Sequence, residues 1–178
     1  MTALEARLAI KMQTEEIEFI LKDELTKDIR VYCFVCTGNT CRSPMAAALL
    51  NHYGAPRGIF AFSRGIYAEV GAPISENASL ALKESGIEPL GRNDYTSHRA
   101  MQFAKEDFAN SDGVFAISPS HAEALIMAFP EYAAKIRVLG DIKDPFMGDL
   151  KQYKDCLNDI RDAVKGHFPF IFNDENNC

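Results

Sequence analysis

Nine consecutive residues, Cys36-Thr37-Gly38-Asn39-Thr40-Cys41-Arg42-Ser43-Pro44, bring a nucleophile, a guanidinium and a turn-forming Gly-Asn pair into one short loop. They follow the apolar run Val31-Tyr32-Cys33-Phe34-Val35 and precede Met45-Ala46-Ala47-Ala48-Leu49-Leu50. That order reads as a strand, an anion-cradling loop and a helix. A cysteine and an arginine at this spacing let a thiolate sit beneath a ring of backbone N–H groups, Thr37 through Arg42, while the guanidinium folds over the top. The result is a cup for a tetrahedral dianion. Ser43 is placed to cap the helix and Pro44 to take its first position, and the positive end of the helix dipole points into the cup.

Each residue type has a chemical reason. Thiolate is the nucleophilic form of cysteine, and a helix N-terminus beside an arginine favours it. Gly38 permits close backbone approach and positive φ. Asn39 tolerates the left-handed region, and its side chain can pin neighbouring peptides. Arg42 offers two oxygens a planar fork that lysine lacks. A later Asp144-Pro145-Phe146 supplies a carboxyl group that can reach the same rim. Tyr67 and Phe146 are the aromatic candidates for pocket walls, since each offers a flat apolar face.

The elements that must position these groups alternate along the chain. Short apolar segments at 31–36, 58–63, 113–117 and 136–139 are separated by helix-like stretches near 44–53, 74–85, 99–109, 119–128 and 149–165. The pattern predicts a single three-layer α/β domain over 30–178, with a four-stranded parallel sheet flanked by helices. The last helix carries Leu150, Tyr153, Leu157, Ile160 and Val164 on one stripe, with Gly166 placed to end it. In open parallel sheets, ligands bind beyond the carboxyl ends of the strands, where Cys36 stands. Residues 1–29 read as an amphipathic helical extension, with Leu4, Leu8, Met12, Ile17, Leu21 and Leu25 at helical spacing. It can pack on the outside of the domain or mediate self-association. Phe168-Pro169-Phe170-Ile171-Phe172 is apolar enough to dock on the core, with 173–178 frayed.

Composition narrows the class. The 178 residues are 47% hydrophobic, enough for one domain with a sizeable core. Five cysteines, two of them in the reactive loop, argue against a secreted disulfide framework and for a reducing, cytoplasmic setting. A net charge of −6 disfavours a nucleic-acid partner. No long apolar span points to a membrane, and no zinc-type spacing, metal or cofactor is expected.

The stretch from Cys36 to Met45-Ala46 resembles the phosphate loop of the low-molecular-weight protein tyrosine phosphatases, and Asp144-Pro145 resembles their late Asp-Pro pair. The resemblance covers roughly residues 29–166. It implies Cys36 as nucleophile through a phosphocysteine intermediate, Arg42 as phosphate ligand and Asp144 as general acid, acting on phosphorylated proteins. It also implies a bracing network of Asn39, Ser43, Ser63 and His98, although Ser63-Arg64-Gly65 departs from the family's Ser-Ala-Gly. His52, His121 and His167 match no motif and read as surface residues.

Two substrate classes stay open. The family's phosphotyrosine enzymes usually carry a bulkier aliphatic residue just before the second loop cysteine, whereas its bacterial phosphoarginine phosphatases carry threonine, as Thr40 does here. Phe146 also matches that subgroup, and the two tyrosines of the eukaryotic branch are replaced by Phe146-Met147. Under oxidants Cys41 is placed to resolve a Cys36 sulfenic acid as a disulfide. Arsenate reductases share the loop but need two further cysteines in the second half, and residues 110–135 contain none. A phosphocysteine carrier would have no use for an acid such as Asp144.

Overall fold

The computed structural model describes residues 29–176. Strand β1 (Arg30–Cys36) runs through the centre of a four-stranded, all-parallel sheet, flanked by β2 (Ile59–Gly65) and β3 (Gly113–Ala116), with β4 (Ile136–Val138) at the edge beyond β3. The order β2-β1-β3-β4 reverses direction at β1, so the crevice outside its carboxyl end is the topological switch point. Cys36, the last residue of β1, opens onto it.

Period-2 alternation builds both layers. Phe34 and Phe115 face one side and pack into a core with Met45, Leu49, Leu82, Leu157 and Ile160. Cys33, Val35, Val114 and Ala116 face the other and meet Phe103, Phe108, Ala122 and Leu125. Helices α1 (Arg42–Gly54), α2 (Glu76–Glu84) and α4 (Leu150–His167) supply the first layer, and α3 (Pro119–Ala128) packs on the second beside β3 and β4. The expected three-layer α/β domain is therefore present. The expected helical extension lies outside the described residues.

The α4 stripe is confirmed, with Tyr153, Leu157, Ile160 and Val164 buried. Asp149 starts the helix with a reciprocal cap: its carboxylate accepts from the Gln152 amide, and the Gln152 side chain accepts from the Asp149 amide. Gly166 does not end it. The helix runs on to His167, whose ring packs edge-on against Phe115 and whose Nε2 hydrogen-bonds the Leu139 carbonyl, so tertiary contacts extend the last turn. Phe168, Ile171 and Phe172 dock as expected, within a 3₁₀ helix over Pro169–Asn176 that reaches past residue 172.

The stretch 99–109 corrects the helical reading. Residues 100–103 run extended along the end of β2, where Gly65 donates to Met101 O and Phe103 donates to Gly65 O, before a short 3₁₀ turn, Lys105–Phe108. Phe103 and Phe108 would stand about 140° apart on an α-helix. The extended segment followed by a turn buries both in one cluster, edge-on to each other.

Candidate active site

The loop between β1 and α1 is held from below by one side chain. Asn39 adopts a left-handed conformation, φ 57°, and is fully buried. Its Nδ2 donates to Ser43 Oγ (3.0 Å) and Ser63 Oγ (2.9 Å), its Oδ1 accepts from the Met101 amide (2.9 Å), and its carbonyl oxygen lies 2.7 Å from His98 Nε2. Asn39, Ser43, Ser63 and His98 thus form the network expected of them, with the Met101 amide as an unforeseen member. Burial lowers the His98 pKa, partly opposed by its bond to Asn39, so the ring is neutral at neutral pH and donates through Nε2. Gly38 has no positive φ; Asn39 takes the left-handed position, and its four bonds hold it there.

Ser43 does not cap α1. The helix begins at Arg42, with Cys41 before it and no side-chain cap, and Pro44 is its third residue. The Ser43 hydroxyl is committed elsewhere: it lies 3.0 Å from Cys36 Sγ and 3.2 Å from the Arg64 carbonyl. Among the described residues the N–H groups of residues 38–41 have no acceptor, Arg42 and Ser43 open α1 without an intrahelical one, and Met45 is the first residue to donate within the turn, to the Cys41 carbonyl. The loop borders a cavity of about 170 Å³ lined by Cys36, Thr37, Gly38, Thr40, Cys41, Arg42, Asp144 and Phe146.

Arg42 lies across this cavity, only 6% exposed. Its Nη2 donates to Asp144 Oδ2 at 2.5 Å and to Thr37 Oγ1 at 3.5 Å, and Nη1 reaches the Ile142 carbonyl at 3.4 Å. Nε is buried without a partner. A buried guanidinium nitrogen left open beside unpaired loop amides is the chemistry of an oxyanion site. Asp144 reaches the rim from the loop after β4, and Asp144 Oδ1 accepts from the Phe146 amide, which fixes the Asp-Pro turn.

Phe146 lines the cavity as expected. Tyr67 does not: its amide is pinned to the Thr37 carbonyl at 2.9 Å, which turns the ring outward to 77% exposure. Cys41 shares the cavity, and its sulfur also contacts Ser75 Oγ (3.3 Å) and Tyr153 OH (3.4 Å). Burial, then the Cys41 contact, pushes the Tyr153 phenol up to about 12, so it stays neutral. Arg64, the departure from Ser-Ala-Gly, points away from the loop and holds the buried Asp107 through Nε at 3.0 and 3.2 Å. Strand alternation puts Ser63 and Arg64 on opposite faces, so the family's small residue is not needed there.

Two positions escaped the sequence reading. His121 is buried, not a surface residue, and its Nε2 lies 2.9 Å from Thr37 Oγ1. Ser118-Pro119, one residue beyond the end of β3, was the available signal, because it starts a helix at the carboxyl end of the sheet, where the loop also stands. Gly65 is the second: a Cβ there would stand 2.7 Å from the Thr37 carbonyl oxygen and 3.0 Å from Asn39 Cβ. Gly65→Ala is expected to displace the loop and lower kcat/KM by about 10²-fold, the scale of a misplacement near 1 Å. Steady-state kinetics checks this, and unchanged kinetics would show that the loop absorbs the methyl group.

The sequence model for low molecular weight phosphotyrosine protein phosphatases matches residues 31–176. The chain belongs to this family. A protein-arginine-phosphatase of Geobacillus stearothermophilus is 37% identical over 139 residues, covering 74% of this chain and 88% of the relative. Among solved structures, the arginine phosphatase from the same organism superposes with a TM-score of 0.71 at 34% identity, covering 83% of this chain and 96% of the other. The low molecular weight protein tyrosine phosphatase from T. tengcongensis superposes equally well, at 0.71 and 34% identity, covering 79% and 98%. This family member is a cysteine-based protein phosphatase, and phosphoproteins are its substrate class. Among the described residues no helix is long and apolar enough to cross a membrane.

The rival arsenate-reductase relay finds no support in Cys156. That thiol is buried on α4, and burial pushes its pKa up to about 12, which keeps it protonated and unreactive.

Proposed function

We propose that this chain is a protein arginine phosphatase. The observation that carries the reading is Thr40, a hydroxyl on the wall of the phosphate cavity beside Cys36, in a chain 37% identical to a protein-arginine-phosphatase. In this reading the Cys36 thiolate attacks phosphorus in line with the departing guanidinium nitrogen. The S–P bond forms as the P–N bond breaks, and Asp144 delivers its proton to that nitrogen. The amides of Thr37 to Cys41 and the Arg42 guanidinium hold the equatorial oxygens, so donors already in place meet the developing charge. Asp144, now ionised, takes a proton from water as it attacks phosphorus. The S–P bond breaks, inorganic phosphate leaves and the thiolate returns.

Thr40 can direct its hydroxyl toward the leaving guanidine or the attacking water, while Phe146 presents a flat wall to the planar group. Asn39, Ser43, Ser63 and His98 keep the loop shaped without touching the reacting atoms. Cys41 is in this reading the thiol that resolves an oxidised Cys36, and the compartment is cytoplasmic.

Phosphotyrosine is the second reading, favoured by the same aromatic wall and by the 34% identity to a tyrosine phosphatase. Matched phosphoarginine and phosphotyrosine peptides separate the two under reducing conditions, with Cys36→Ser as the control. Wild type is expected to prefer phosphoarginine, and Thr40→Ile to shift the kcat/KM ratio toward phosphotyrosine by at least about tenfold, the scale set by removing one productive hydrogen bond. A wild-type preference for phosphotyrosine overturns the arginine reading and returns Thr40 to a scaffold role.

A further inference from the structure

A line of polar side chains leaves the cavity at Thr37 and runs into the start of α3. Arg42 Nη2 stands 3.5 Å from Thr37 Oγ1, Thr37 Oγ1 stands 2.9 Å from His121 Nε2, His121 Nδ1 stands 2.7 Å from Ser118 Oγ, and Ser118 Oγ stands 2.9 Å from Ser120 Oγ. His121 and Ser118 are buried. The groups are matched for one direction of bonding along this line. Arginine only donates, so Thr37 Oγ1 accepts from it, and the hydroxyl proton of Thr37 is available to His121. With Nε2 as its acceptor, the neutral ring carries its proton on Nδ1, where Ser118 Oγ is within reach as the acceptor.

We propose that His121 is a positioning residue for the phosphatase reaction: by accepting the Thr37 hydroxyl proton it aims the Thr37 oxygen at Arg42 and fixes the first residue of the phosphate loop.

Electrostatics agrees with the geometry. Burial lowers the His121 pKa and the neighbouring Arg42 charge lowers it further, while Asp144 opposes both, so the ring is neutral and free to accept. The arrangement matters once phosphate arrives. Arg42 Nη2 is shared between Asp144 and Thr37, and a phosphate oxygen competes with Asp144 for it. Thr37 then remains as a fixed acceptor on the same nitrogen. The Thr37 carbonyl is tied to the Tyr67 amide, so His121 supplies the side-chain anchor that complements this backbone one.

The proposal rests on the phosphate cup and not on the choice of leaving group, so inorganic phosphate and p-nitrophenyl phosphate are the probes. In wild-type protein, long-range ¹⁵N–¹H correlation of the His121 ring is expected to show Nδ1 protonated and Nε2 bare at neutral pH. A proton on Nε2 overturns the proposal without any variant having to fold. His121→Asn and Thr37→Val are each expected to weaken phosphate binding and kcat/KM by about three- to tenfold, one hydrogen bond's worth. The double variant should be no worse than either, because both remove the same bond. His121→Gln, whose carboxamide oxygen reaches the Nε2 position, should restore most of the loss. Additive losses, or Gln no better than Asn, overturn it. If wild type fails to bind phosphate, the cup itself is wrong and His121 falls with it, a result distinct from a binding-competent wild type with additive variants.

Discussion

Asp144→Asn is expected to lower kcat on a phosphoarginine peptide by about 10²–10⁴-fold, the usual worth of a positioned general acid, and at the same time to bind inorganic phosphate more tightly than wild type. The opposite signs come from two roles that one carboxyl group plays. As an acid it must protonate a guanidine nitrogen, a poor leaving group without a proton. As a carboxylate it sits 2.5 Å from Arg42 Nη2 and occupies a donor that a phosphate oxygen needs. Asparagine keeps the shape and the amide contact from Phe146 but removes both the proton and the competing charge. The loss on p-nitrophenyl phosphate should be far smaller, because nitrophenolate departs without protonation. Titration calorimetry with phosphate, beside kinetics on both substrates, reads all three quantities. Weaker phosphate binding by the variant, or equal losses on both substrates, would assign Asp144 to holding Arg42 in place and not to proton transfer.

What the sequence displayed and what it concealed divide along chain distance. Strand, loop and helix from Val31 to Leu50 are contiguous, so the types and spacing of Cys36, Gly38, Asn39 and Arg42 could be read together, and short apolar runs such as Val31 to Val35, alternating with helix-like stretches, announced the parallel sheet whose two faces are both covered. Asp144 was legible through the resemblance of Asp144-Pro145 to the family's late Asp-Pro pair, since Asp-Pro by itself reads as an ordinary turn. Ser63 and His98 were legible only through resemblance, since nothing in their own neighbourhoods points at Asn39. His121 shows the limit: its partner Thr37 is 84 positions away, and its place on α3 gives no periodic sign of a polar contact. Gly65 was hidden for the same reason, because its need to be glycine comes from a carbonyl on another strand's loop. Residues 99–109 misled because two phenylalanines in a polar stretch look helical until the edge of β2 and the Asn39 side chain claim the backbone of 101–103.

Arg42→Met is expected to cut kcat/KM by at least about 10²-fold, as loss of an oxyanion donor does, while leaving the fold as stable as wild type or more so. Stability and function make opposed demands at this residue. Arg42 is 6% exposed, and its Nε is buried with no acceptor, a state that costs about 1–3 kcal/mol. In return it has long bonds to Ile142 and Thr37 and one ion pair, whose carboxylate is 46% exposed and so contributes only about 0–1 kcal/mol. An unbranched apolar side chain of similar reach fills the space and removes the unpaired donor. Urea unfolding followed by circular dichroism measures the balance. A destabilisation above about 2 kcal/mol, beyond what those weak contacts supply, would make Arg42 a structural keystone whose orphan nitrogen is incidental. An unchanged or raised midpoint with lost turnover would mean that the buried guanidinium is kept, against the interest of the fold, for the phosphate that completes it.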